Sequence, residues 1–332
     1  MNLELLQTLV RAHGPSGDEG PIRDLLKGLC TGWADEIRTD AMGNLLVYKQ
    51  GPGAKLLLCA HMDTVGLMVT HVEKEGFLRF AQVGGLEPAA VLHVPVRFRN
   101  GVEGLIACDE EKLGKELKLR DLYVDIGAAS AEEAKTLVQP GDTASFVSPV
   151  LTRGRRVISP YLDNRTGCLV LLEALKGIKT PKNDLWFAFT VQEEVGCRGA
   201  GPAAFGVEPD CALVVDVTCP DDCPGALHEG TTALGKGAAV KVMDHSVLCD
   251  SAVTARLNRL AQERGIPVQQ DVLIGGGSDG GAAQRSAGGV PTCGVSIPCR
   301  YTHAPTELID WNDLEACTAL VRAFCESEFD RL

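Results

Sequence analysis

Hydrophobic and polar positions along this chain follow two different periods, and the texture changes twice. Apolar residues recur at helical spacing from Leu3 to Val10, and GPSGDEG then breaks the pattern. Ser16 or Asp18 is placed to cap a second helix running toward Cys30. IRTD and NLLVYKQ follow as short strands about Ala41-Met42-Gly43, and KLLLCAHMD reads as a buried strand ending in polar residues. Beyond about Thr64 come the short strand-like runs GLMVTHVEK, GFLRFAQVGG, HVPVRFRNG, VEGLIACDE and GDTASFVSP, with one helical stretch, SAEEAKTLV, among them. The longer rhythm then resumes: NRTGCLVLLEALKGI as a helix, DLWFAFTVQEE as a strand, GPAAFG as a helix start and DCALVVDVT as a strand. VTARLNRLAQERG is a helix, PTCGVSIPCRY a last strand, and LEACTALVRAFCESEF an amphipathic closing helix. The pattern predicts an α/β domain, a mixed sheet with helices on both faces, built from residues 1–64 and 154–332. A small, mostly β insert at 65–153 interrupts it.

Composition narrows the class. The 332 residues exceed one ordinary core of ~100–200 residues, in keeping with two units. Hydrophobic content of 45% and charged content of 23% are those of a soluble globular protein. MNLELLQTLVRAHG is an amphipathic helix rather than a signal peptide, and no apolar run approaches the ~18 residues of a membrane span. Thirteen cysteines, an odd number without CxxC pairs, point to buried thiols in a reducing compartment, so a cytoplasmic location is expected. A net charge of -12 without a basic cluster argues against nucleic acid and anionic membranes as partners.

The chemistry lies where apolar runs end. His61 and Asp63 follow one buried strand, Glu193 and Glu194 another, Asp216 ends a third, and His303 follows the last. Asp163 opens the helix after ISPY. Sites of open α/β sheets form at the carboxyl ends of the strands, so these groups are expected to converge. Singly, each has a plainer reading: a satisfied polar cluster, a solvated glutamate pair, an N-cap, a core histidine. Together, two imidazoles and several carboxylates suit zinc, manganese or cobalt better than soft copper. Two cations need a bridging carboxylate and an open position for water, and an unligated carboxylate must take that water's proton. Glu193-Glu194 offers one base and one ligand if the chain turns at Val195-Gly196.

AHMDTVGLMV, SPYLDNRTGCLVLLEAL, TVQEEVGCRGA, VVDVT, GGGSDGGAA and GVPTCGVSIPCRYTHAPTE, in this order, resemble the glutamyl and tetrahedral aminopeptidase family of dinuclear metallopeptidases. The resemblance spans nearly the whole chain and includes GPSGDEG and DLYVDIGA. It implies an aminopeptidase with two divalent metal ions per subunit, zinc first, with cobalt or manganese as alternatives, acting on short peptides. It assigns His61 and Asp216 to one metal, Glu194 and His303 to the other, Asp163 as the bridge and Glu193 as general base. Asp63 would orient His61, and the Asp163-Asn164 peptide would be cis. The insert would serve dimerisation, with dimers forming a homo-oligomer, up to a tetrahedral dodecamer. Thr64-Val65 stands where the family often has Glu-Ile, Asn164 replaces the second acid of the helix-opening pair, and Cys108-Asp109-Glu110-Glu111 replaces a Pro-Pro-His-Leu-like segment. None of these removes an expected ligand.

The run from Gly275 to Gly281 lacks the lysine of a P-loop and the spacing of a dinucleotide fingerprint. By resemblance it lines the substrate cleft, with Gly276 and Gly277 approaching the substrate; Asp279 either contacts it or closes an Asx-turn. GxSxG is absent and no cysteine sits in a recognisable nucleophile setting. The rival functions are a related two-metal deacylase or carboxypeptidase, and a non-catalytic assembly that keeps metal for structure. An endoglucanase label carried by some family members is discounted, because glycoside hydrolysis needs its own acid–base carboxylate pair.

Overall fold

The computed structural model describes residues 2–329. Its first helix, Leu3–Arg11, is capped by Asn2, whose side-chain oxygen accepts from the Glu4 amide at 2.8 Å, and it buries Leu6, Leu9 and Val10. The second, Gly20–Cys30, has Pro in its first turn and no side-chain cap. Neither Ser16 nor Asp18 caps it, contrary to the sequence reading. Ser16 donates to the buried Asp63 carboxylate at 2.6 Å, and Asp18 accepts from Arg99 at 2.7 Å and Thr143 at 2.8 Å. Charge-assisted bonds reaching across the molecule win over a local, exposed cap.

Among the described residues the large sheet has eleven strands. Nine lie in the order Glu36–Thr39, Leu45–Lys49, Asp184–Thr190, Lys55–His61, Cys211–Thr218, Thr292–Arg300, Glu307–Asp310, Arg156–Ser159, Leu151–Arg153. Four consecutive ones, from Asp184–Thr190 to Thr292–Arg300, are parallel, and the flanking pairings are antiparallel. This mixed sheet is buried on both faces. Leu56, Leu58 and Ala60 point into one core, which holds the helices Leu162–Gly177, Ser251–Arg264 and Trp311–Glu326. Leu57 and Cys59 point into the other, with residues of Ala200–Val207 and Asp279–Gln284. Burial of both faces is why the central strands read as continuous apolar runs rather than alternating ones.

The strand Glu307–Asp310, beyond the run expected to be the last, escaped the sequence reading, as did Ala238–Met243 and Val268–Val272, which pair with each other. Lys241 and Asp271 break their apolar pattern, yet both are buried and paired at 2.8 Å.

The insert is a closed six-stranded barrel of Gly66–Val72, Leu78–Val83, Leu122–Asp125, Glu103–Cys108, Pro95–Phe98 and Thr143–Phe146, with its own apolar core. Ala131–Leu137 is its helix, started by a Ser130 cap. The next strand, Leu151–Arg153, belongs to the large sheet. Barrel and sheet domain are tied by His13, whose ring nitrogens lie 3.0 Å from Asp18, 2.9 Å from Thr143 and 3.1 Å from Ser145. Among the described residues no helix is long and apolar enough to cross a membrane.

Candidate active site

Because the four central strands are parallel, their carboxyl ends emerge on one side of the sheet. His61 ends its strand in register with Thr190, three residues before Glu193, and Asp216 lies near the end of the next strand. His303 follows Arg300 by three residues in a loop with left-handed backbone at Tyr301 and His303. Asp163 sits at a break where Asp163 and Asn164 leave helical geometry, and their peptide bond is cis. Asn164 accepts from the Gly167 amide at 2.9 Å, as an N-cap does. Asp163 is thereby free of capping and turns its carboxylate into the cleft.

The structure brings the sequence-predicted residues into two groups that share one acid. His61 Nε2 lies 3.1 Å from Asp163 Oδ1 and 3.5 Å from Asp216 Oδ1. His303 Nε2 lies 3.1 Å from Glu194 Oε2 and 3.6 Å from Asp163 Oδ2. The two oxygens of Asp163 therefore face two different imidazoles. Glu193 and Glu194 diverge where the chain folds back, the Gly196 and Cys197 amides both donating to the Glu193 carbonyl. Glu193 Oε2 stands 4.0 Å from His61 Nε2, beside the first group.

Asp63 is fully buried, and its position differs in detail from the expected one. The nearest acceptor to His61 Nδ1 is the Asp63 main-chain oxygen at 3.2 Å, with the carboxylate at 3.6 Å. That carboxylate accepts from the amides of Glu193 at 3.0 Å and Glu194 at 3.2 Å, so Asp63 holds the glutamate turn as well as the histidine. Gly276 and Gly277 line the cleft, which encloses about 350 Å³ together with Gly196, Cys219, Leu273 and Thr302. Asp279 is not on the cleft wall. It is fully buried and accepts the Thr190 hydroxyl, so neither substrate contact nor an Asx-turn describes it.

The concentration of charge perturbs these groups strongly. Burial pushes Glu193, Glu194 and Asp216 up, the nearby imidazoles opposing it. Burial alone would lower His61, but Asp216, Asp163 and Asp63 outweigh it and hold the ring well above its ordinary value. For His303, burial is likewise outweighed by Glu194, and the ring titrates at about 10. Glu194 Oε1 is buried and makes no hydrogen bond, an unfavourable arrangement for a carboxylate unless a cation faces it. Each group supplies one imidazole and two carboxylates, a donor set able to hold a divalent ion, with Asp163 common to both.

Glu307 is a residue of the candidate site to which the sequence reading gave no role. It is buried, accepts from the Asp163 amide at 2.8 Å and the His303 amide at 3.0 Å, and so clamps the shared acid and one imidazole with a single carboxylate. The available signal was its nearness in sequence to His303, four residues earlier; the apolar pattern does not mark it.

Comparison with known proteins fits this geometry. Residues 43–320 match the model of the M42 glutamyl aminopeptidase family. The lysyl aminopeptidase of Pyrococcus furiosus is 32% identical, covering 97% of this chain and 96% of its own. An aminopeptidase structure from the archaeon Desulfurococcus kamchatkensis superposes with a TM-score of 0.94 at 36% identity, covering 98% of this chain and 94% of that one. The TET1 peptidase of Pyrococcus horikoshii, described as assembling into a tetrahedron or a large octahedral shell, gives 0.89 at 33%, with coverage of 97% and 98%. With its sheet, barrel insert and converging strand ends, the chain belongs to the M42 glutamyl aminopeptidase family.

Proposed function

We propose that this protein is a cytoplasmic aminopeptidase that releases N-terminal residues from short peptides with two divalent cations, zinc first among them. The observation that carries this is Asp163, whose two oxygens face His61 in one donor group and His303 in the other. His61 and Asp216 would hold one ion, Glu194 and His303 the second, and Asp163 both. When bound, the cations supply Lewis acidity toward the scissile carbonyl and acidify the attacking water.

The chain's own residues do the rest. Glu193 stands beside the first group with its pKa raised by burial, suited to take the water's proton and return it to the leaving amine. Asp63 and Glu307 fix the turn and the loop from which these side chains project. Gly276-Gly277 lines the cleft and lets substrate backbone approach closely. Family likeness and the assembly of the Pyrococcus horikoshii relative support a homo-oligomer, with the barrel insert as the dimerisation unit and a tetrahedral dodecamer as its full form.

Glu193→Gln tests the assignment. Loaded with two equivalents of zinc per subunit, the variant is expected to retain both ions while turnover falls by at least about 100-fold, the scale of a lost general base. Loss of metal in this variant would make Glu193 a ligand instead. His303→Ala should lose one ion selectively, as metal analysis would read directly.

A further inference from the structure

A third set of donors adjoins the two groups. Glu193, Cys197 and Asp279 each bring one donor atom within 4.8 Å of the other two. Cys197 Sγ lies 3.1 Å from Glu193 Oε1, while the other oxygen, Oε2, is the one 4.0 Å from His61 Nε2. Gly196, at φ 116, and Cys197, at φ 51, fold the thiol back over the glutamate. Asp279 is fully buried, and while Oδ2 accepts the Thr190 hydroxyl, Oδ1 makes no hydrogen bond. A buried carboxylate oxygen without a donor, beside a thiol and a second carboxylate, is an arrangement that a cation completes. Glu193 and Cys197 both line the cleft, so an ion has a path in from solvent.

We propose that Glu193, Cys197 and Asp279 form a third divalent-cation site, selective for a thiophilic ion of the zinc or cadmium class. On binding, the Cys197 S–H bond breaks, its proton passes to solvent, and the sulfur lone pair forms the metal–sulfur bond. The carboxylates of Glu193 and Asp279 supply the oxygen donors, leaving one tetrahedral position for water. Sulfur in the donor set separates this site from the two all-oxygen-and-nitrogen groups. Manganese and magnesium, which favour oxygen donors, are poor occupants. An ion held here takes Glu193 away from the reacting water, so excess zinc or cadmium becomes inhibitory. Only this last consequence rests on the aminopeptidase proposal.

The test is a cadmium(II) titration of the full-length protein and of Cys197→Ser and Cys197→Ala, followed by thiolate-to-cadmium charge-transfer absorption and by counting bound ions at equilibrium. The wild type is expected to bind one more cadmium ion per subunit than either variant, with an absorption band that both variants lack. Asp279→Asn should keep the band but weaken the added ion by at least about tenfold. Equal ion counts, or equal bands, in the wild type and both variants overturn the site. Because neither readout involves turnover, failure here is distinguishable from failure of the peptidase assignment.

Discussion

At the scale of single residues, the site was legible wherever a polar side chain ended an apolar run. His61, Glu193, Glu194 and Asp216 announce themselves in this way, and the fold sets them on one edge. Glu307 and Cys197 gave no such signal, because their roles depend on loop backbone returning over a neighbour, which no periodicity records. Asp279 was visible in its glycine run, but the side to which it turned was not. Burial raises its carboxyl to about 7, the Thr190 hydroxyl and His61 opposing and the charges of Asp216 and Asp63 reinforcing the rise. An unfolded aspartate titrates near ~3.9, so between these values the folded state holds a proton that the unfolded state gives up. Stability from this group is therefore full below pH ~4, falls as pH rises through about 7, and then levels. In metal-free protein, Asp279→Asn should remove this part of the slope of thermal midpoint against pH. An unchanged slope would show that Asp279 titrates normally.

At the scale of elements, the sheet core, the β character of the insert and the closing helix followed from hydrophobic period, because each buries a regular stripe or face, whereas the closure of the insert into a barrel did not. What failed were places where tertiary bonds override local preference. Ser16 and Asp18 have the chemistry of helix caps but serve Asp63 and the barrel. The strands Ala238–Met243 and Val268–Val272 were obscured by a buried ion pair. The strand Glu307–Asp310 reaches the site through one carboxylate, which fastens both the helix break at Asp163 and the His303 loop. A glutamine at position 307 offers a single acceptor oxygen, so one of the two amides would be left facing an NH2 group. Glu307→Gln is expected to destabilise by about 1–3 kcal/mol, read by denaturant unfolding. Metal affinity should weaken by about 10–100-fold, as for other groups that orient ligands. Wild-type affinity in this variant would mean that the clamp is dispensable.

At the scale of the whole molecule, the insert closes as a barrel against the sheet domain, joined through His13, Asp18, Thr143 and Ser145. Leu227, Leu248, Phe205 and Ile274 remain between 61% and 78% exposed on the chain, apolar surface suited to burial between copies. Sedimentation of the purified protein is expected to give a particle several times the mass of one chain, and a stable monomer would remove the proposed assembly. Metal-dependent aminopeptidase activity is read by hydrolysis of a panel of aminoacyl-anilides. Metal-stripped protein is compared before and after adding zinc, cobalt or manganese, with N-acetylated substrates alongside. Release that appears only with metal, and is abolished by acetylation, is the expected result. Release from the acetylated substrates, or none with any metal, would contradict it.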